Sequence, residues 1–172
     1  MKTLRSFAQV AAVTFAIVTA LAFGCQKRSS KQPASNTAHV QRDVQSLLDR
    51  WVHAFAARDV DAVRSVLAGD DRFVWLEDGE PRYQSADDVV RALASFPPNM
   101  TFSHTLGNAR IVPISDDAAW AQLAATTQIK LEDRVVSNFN SVVLMVVQRE
   151  QSGWRIIAAH TSTSKPRPPL PA

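Results

Sequence analysis

The sequence predicts an α+β domain in which three helices precede a strongly bent, mainly antiparallel sheet. Two observations carry this. Before Pro98 apolar residues recur at helical spacing, and after it they recur in the alternation of strands. The links between the later segments are only a few residues long, too short for the crossover helix that a parallel pair needs. Helices first and strands afterwards place the helices on one face of a single sheet. The 172 residues, 46% of them hydrophobic, suit one domain and exclude wholesale disorder.

In the first helix Val40, Val44, Leu47, Leu48, Trp51 and Phe55 share one face, with Asp43, Asp49 and Arg50 opposite. Asn36 or Thr37 is expected to cap it. Ala56-Ala57-Arg58-Asp59 breaks the pattern. Asp59 can cap a second, short helix carrying Val60, Val63 and Leu67, ended by Gly69. Phe73 to Leu76 reads as a short strand, and Asp78-Gly79 signals a tight turn. Ser85-Ala86-Asp87-Asp88 has the form of a capping box. It opens a third helix with Val89, Val90 and Leu93, stopped by Pro97-Pro98. Candidate strands follow at Thr101–Leu106, Ala109–Ile114, Ala118–Lys130, Val135–Gln148 and Trp154–Thr163. The two longest exceed an ordinary strand and require a bend or bulge.

The basic balance of the chain, +3 overall, belongs to its ends. Residues 38–164 hold 12 basic against all 16 acidic residues, a formal −4. An acidic core lacks the clustered Lys and Arg of a phosphate-binding groove, so no nucleic acid is expected as a partner. Lys2 and Arg5 precede an apolar run from Val10 to Ala22, as in an export signal. Leu21-Ala22-Phe23-Gly24-Cys25 resembles a bacterial lipobox, in which the cysteine is acylated and becomes the first mature residue. Cys25 is the only cysteine, which excludes a disulfide framework. The alternatives are an uncleaved helical anchor or a plain secreted protein. The run from Phe7 to Gly24 includes Gln9 and is short for a span. Gln26 after the cysteine, rather than Asp, implies by the same resemblance the outer membrane, facing the periplasm. The expected organisation is a signal peptide over 1–24, a flexible tether over 25–37, one domain over 38–163 and a proline-rich tail over 164–172.

Several residue groups resemble the nuclear transport factor 2-like superfamily, and within it the SnoaL-like domains. Trp51, Ala54, Ala56-Ala57-Arg58-Asp59 and Val63 look like the family's opening helix and its turn into the next. Leu67-Ala68-Gly69-Asp70-Asp71 before Phe73-Val74 looks like its approach to the first strand. Gly153-Trp154-Arg155-Ile156-Ile157-Ala158-Ala159-His160-Thr161-Ser162 looks like its closing strand. The resemblance implies a cystatin-like α+β cone with a pocket inside, and often a homodimer through the sheet. Its members include isomerases, cyclases, dehydratases and non-catalytic proteins, so the fold leaves the function open.

Strict alternation on the closing strand puts Trp154, Ile156, Ala158, His160 and Ser162 on one face. His160 then points into the cone and is the candidate general base or carbonyl polariser; the alternative is a structural histidine. Trp120 shares a face with Gln122, Ala124, Thr126 and Gln128, set among small residues as a pocket wants, or as a solvated outer face would show. Asn140 lies with Asn138, Val142, Leu144 and Val146. Tyr83 is the only tyrosine, and a tyrosine oxyanion donor is known in isomerases of this fold. Trp120, Asn140, Tyr83, His160 and His104 are therefore the ligand-binding candidates. Trp51 and Trp75 read as core. Glu77 is the least solvated-looking carboxylate, although a turn follows it. His39, His53, His104 and His160 form no close-spaced ligand pair, so neither a metal nor a cofactor is expected. The leading expectation is a membrane-tethered, non-catalytic domain binding a small hydrophobic molecule or a partner protein. The runner-up is an isomerase, cyclase or dehydratase using His160 with Tyr83 or Asn140. A third is a structural dimer module with a vestigial pocket.

Overall fold

In a computed structural model, which describes residues 34–164, the amphipathic stretch around Leu47 folds as α1 (Ala34–Ala57). The expected signal peptide, Cys25, all but the end of the expected tether and the expected tail beyond Ser164 lie outside the described residues. Val40, Val44, Leu47, Leu48, Trp51 and Ala54 of α1 are buried, as the spacing predicts. Asn36 and Thr37 fall inside the helix rather than capping it. Asn36 instead reaches Asp116 at 3.4 Å. Among the described residues no helix is long and apolar enough to cross a membrane.

Arg58 leaves α1 in the left-handed region at φ 56°. Its guanidinium donates to the carbonyls of Phe96 at 2.6 Å and Pro97 at 2.7 Å, closing the far end of another helix. Asp59 caps α2 (Val60–Val66), its carboxylate accepting from the Ala62 amide at 2.9 Å. The helix ends before Gly69, because Leu67 and Ala68 run alongside the closing strand, where the Ala68 amide donates to the Ile156 carbonyl at 2.9 Å.

β1 (Val74–Glu77) turns at Asp78 and Gly79, both at positive φ, into β2 (Glu80–Tyr83), a strand the sequence pattern concealed. Polar β2 has no apolar alternation to reveal it. Ser85 caps α3 (Ala86–Ser95) by accepting from the Asp88 amide at 3.1 Å. Asp88 reaches back to the Gln84 amide rather than to that of Ser85, a variation on the expected box.

β3 (Met100–Leu106), β4 (Arg110–Pro113), β5 (Ala118–Leu131), β6 (Arg134–Glu150) and β7 (Gly153–Thr163) complete the sheet. Its order is β2-β1-β7-β6-β5-β3, with β4 also on β5, beyond the end of β3. All pairs are antiparallel except β1 with β7. The sheet is strongly curved without closing, and the helices pack against its concave face. The bends sit at three places where one residue is extra: Arg82 on β2, Val136 on β6 and Ile157 on β7. The concave face of β5 and β6 carries Ala119, Ala121, Leu123, Ala125, Val143, Met145 and Val147, which meet Leu47, Leu48 and Val44 of α1 in one core. Each fully buried leucine there stabilises the fold by roughly 1.5–3 kcal/mol.

Candidate functional site

At the open end of the bent sheet the core gives way to a cavity of about 210 Å³. Helices α1 and α3 supply Trp51, Phe55, Val89 and Leu93 to its walls, and Phe96 follows α3. The rings form a continuous apolar lining. Trp51 lies 5.7 Å from Trp75 and 6.4 Å from Phe55 between ring centres, and Phe102 lies 5.6 Å from Phe55 and 4.9 Å from Phe96. Arg58 holds this wall through the Phe96 carbonyl. At the rim Glu77 and Arg82 form an ion pair at 3.5 Å, and Arg82 lies 5.5 Å from the centre of the Tyr83 ring. The extra residue on β2 brings Arg82 and Tyr83 to the rim together.

The sheet side of the cavity is different. His104 on β3 faces Thr127 on β5. Ser141 on β6 lies diagonally beside Thr127, because Thr127 pairs with Phe139 and Ala125 with Ser141. Thr161 on β7 lies diagonally beside Ser141 and directly opposite Glu77 on β1. All five line the cavity. Polar groups thus cross the bowl as one diagonal track over five adjacent strands.

Most of this track is internally partnered. His104 Nδ1 meets the Thr127 hydroxyl at 3.0 Å. The Thr161 hydroxyl accepts from Trp75 Nε1 at 3.1 Å, and Glu77 pairs with Arg82. Burial lowers the His104 pKa, since the apolar surroundings disfavour the imidazolium. His104 is thus neutral at pH 7. Its Nε2 is buried without a partner among the described residues, as is Trp51 Nε1, and the two rings stand 6.1 Å apart.

Of the residues the sequence proposes, His104 and Tyr83 line this cavity. His160, Trp120 and Asn140 do not; they stand on the convex face. For His160 the cause is the extra residue Ile157. Val147 pairs with Ile156 and Val146 with Ala158, so the alternation that buries Trp154 and Ile156 skips a step and resumes inward at Ala159 and Thr161. His160 lies outward between Leu76 and Leu144, its Nε2 buried without a partner among the described residues. Trp120 faces away because Ala119 and Ala121 fill the core side, and Arg110 lies 5.1 Å from its ring centre. Asn140 accepts from the Thr126 hydroxyl at 2.8 Å on the exposed face. Nothing in the sequence pattern singles out Thr127, Ser141 and Thr161. Small apolar residues at every second position of β5 mark its inner face, but β6 is apolar on both faces and conceals its own. Among the described residues no group of three His, Cys, Asp or Glu side chains is placed to hold a metal ion.

The model of the SnoaL-like domain family matches residues 44–166. The chain belongs to this family. Solved structures resemble this SnoaL-like domain in fold. A scytalone dehydratase-like protein from Novosphingobium aromaticivorans superposes with a TM-score of 0.65 at 9% identity, covering 76% of this chain and 88% of its own. A ketosteroid isomerase-like protein from Erwinia carotovora atroseptica gives 0.60 at 19% identity, with 73% and 96% covered. A nuclear transport factor 2-like protein from Salmonella enterica gives 0.65 at 12% identity, with 75% and 94% covered. No curated protein matches the chain in sequence. These likenesses establish the cone-like α+β fold that the sequence predicts; identities this low carry no activity with them.

Proposed function

We propose that this SnoaL-like domain is a non-catalytic binding module for a small, largely apolar molecule, tethered to the cell envelope through an acylated Cys25. The observation that carries the reading is the aromatic cavity, large enough for a two-ring molecule and lacking a paired acid and base. His104 is half-buried in its wall, with Nδ1 engaged by Thr127. The carboxylate at the rim, Glu77, is engaged by Arg82. Glu77 and His104 stand at the two ends of the polar track, on strands separated by β7, β6 and β5. Acid–base catalysis wants such groups within hydrogen-bond reach of one reacting atom.

The test is mass spectrometry of small molecules extracted from the purified mature domain, beside an Ala125→Leu variant that narrows the cavity. A small apolar species carried by the wild type and depleted in the variant supports binding. Equal recovery from both, or none from either, overturns it. Tethering is tested separately by metabolic labelling with a fatty-acid analogue, where label retained by Cys25→Ser refutes acylation at that residue.

A second reading is an enzyme of the dehydratase or isomerase type. It is favoured by the neutral, half-buried His104 with its unpartnered Nε2, and by the names of two fold neighbours, one isomerase-like and one dehydratase-like. His104, not His160, is then the proton acceptor. Chemical alteration of the recovered molecule on incubation with wild type but not His104→Gln would select this reading.

A further inference from the structure

We propose that Ser141 is the polar anchor of the cavity and that the ligand is a flat apolar molecule bearing one hydrogen-bonding oxygen, such as a phenol or an aryl ketone. The proposal rests on the binding reading above and names the ligand class for the same cavity. Ser141 occupies the middle of the polar track. It is only 4% exposed and lines the cavity, yet its hydroxyl makes no hydrogen bond with any described residue. Its neighbours on the track are occupied: Thr127 by His104, and Thr161 by Trp75. A hydroxyl enclosed by Val143, Phe139 and Ala125 loses water when an apolar ligand arrives, and a ligand without an oxygen leaves it unsatisfied. A ligand oxygen at this point restores the hydrogen bond while the ring system meets Trp51, Phe55 and Phe102 across the bowl. The serine hydroxyl both donates and accepts, so an alcohol and a carbonyl are both admitted.

Calorimetric titration with two probes of nearly equal shape, 2-naphthol and 2-methylnaphthalene, tests this. The wild type is expected to prefer 2-naphthol by about tenfold, the yield of one net hydrogen bond in a dry site. Ser141→Ala is expected to abolish the preference by weakening 2-naphthol while leaving 2-methylnaphthalene unchanged or tighter. Ser141→Cys, close in shape with a weaker donor, is expected to fall between. Thr126→Ala on the convex face is expected to keep the full preference. A wild type that binds both probes equally, or a preference that survives Ser141→Ala, overturns the anchor but leaves the cavity reading intact. Failure of both probes to bind overturns the cavity reading and the anchor with it.

Discussion

On β5 and β6 the concave face presents Leu123, Ala125, Val143 and Met145, none more than 6% exposed, whereas the convex face of the same strands presents Val142 and Leu144 at 46% and 44%. Hydrophobicity does not separate the two faces of β6. What separates them is the cover: α1 and the rings around Trp51 lie over one face, and no described helix lies over the other. The polar groups differ in the same way. On the convex face Thr126 and Asn140 bond each other beside water, and little depends on it. On the concave face His104, Thr127 and Ser141 are enclosed, and each donor or acceptor there must find a partner or remain a cost. A residue's type therefore says less about its role than the face it falls on.

The largest expected contrast is in packing. Leu47→Ala beneath the concave face should destabilise the domain by about 2–5 kcal/mol, since a fully buried leucine leaves a cavity. Leu144→Ala on the convex face should cost under about 1 kcal/mol. Urea unfolding of both variants checks this, and equal losses would mean that the convex face is covered in solution. Next in size, Asp59→Ala should cost about 1 kcal/mol by removing the cap of α2, read from the same unfolding midpoint.

The two histidines sharpen the comparison further. Unfolded His104 titrates near 6.5 and the folded residue lower, so below pH 6.5 the unfolded state binds more protons. His104 therefore holds its full contribution above pH 6.5 and loses it as pH falls through that value towards the lowered one. Stability measured between pH 7.5 and pH 5 should decline less in His104→Gln than in the wild type; parallel declines would show that burial does not oppose protonation there. The smallest effect is expected at His160. Its replacement by Gln should leave the affinity of the cavity for 2-naphthol within about twofold, because the side chain lies across the sheet from it. A larger loss would mean that the bulge at Ile157 does not hold His160 outward.

Much of the fold is legible without coordinates because its signals are local. Asp59 and Ser85 announce their helices through side chains that satisfy the first free amides, and the alternation of Ala119, Ala121, Leu123 and Ala125 marks the inner face of β5. β2 escapes because Glu80, Pro81 and Arg82 have no apolar side to bury. The candidate site is legible only in part. His104 and Tyr83 come from residue type alone, and Glu77 stands out among carboxylates, whereas Ser141 looks like any strand serine.

The sequence by itself determined the three helices and every strand but β2, the family and the acidic character of residues 38–164, since spacing, caps and charge need no distant partner. It also carries the lipobox-like motif at Cys25. Only the tertiary structure decided which residues share the cavity. Inward and outward differ by a single step of a two-residue period, and the extra residue at Ile157 exists only relative to the strand it pairs with. The same holds for the polar track, whose members are far apart in the chain and meet only because five strands lie in that register.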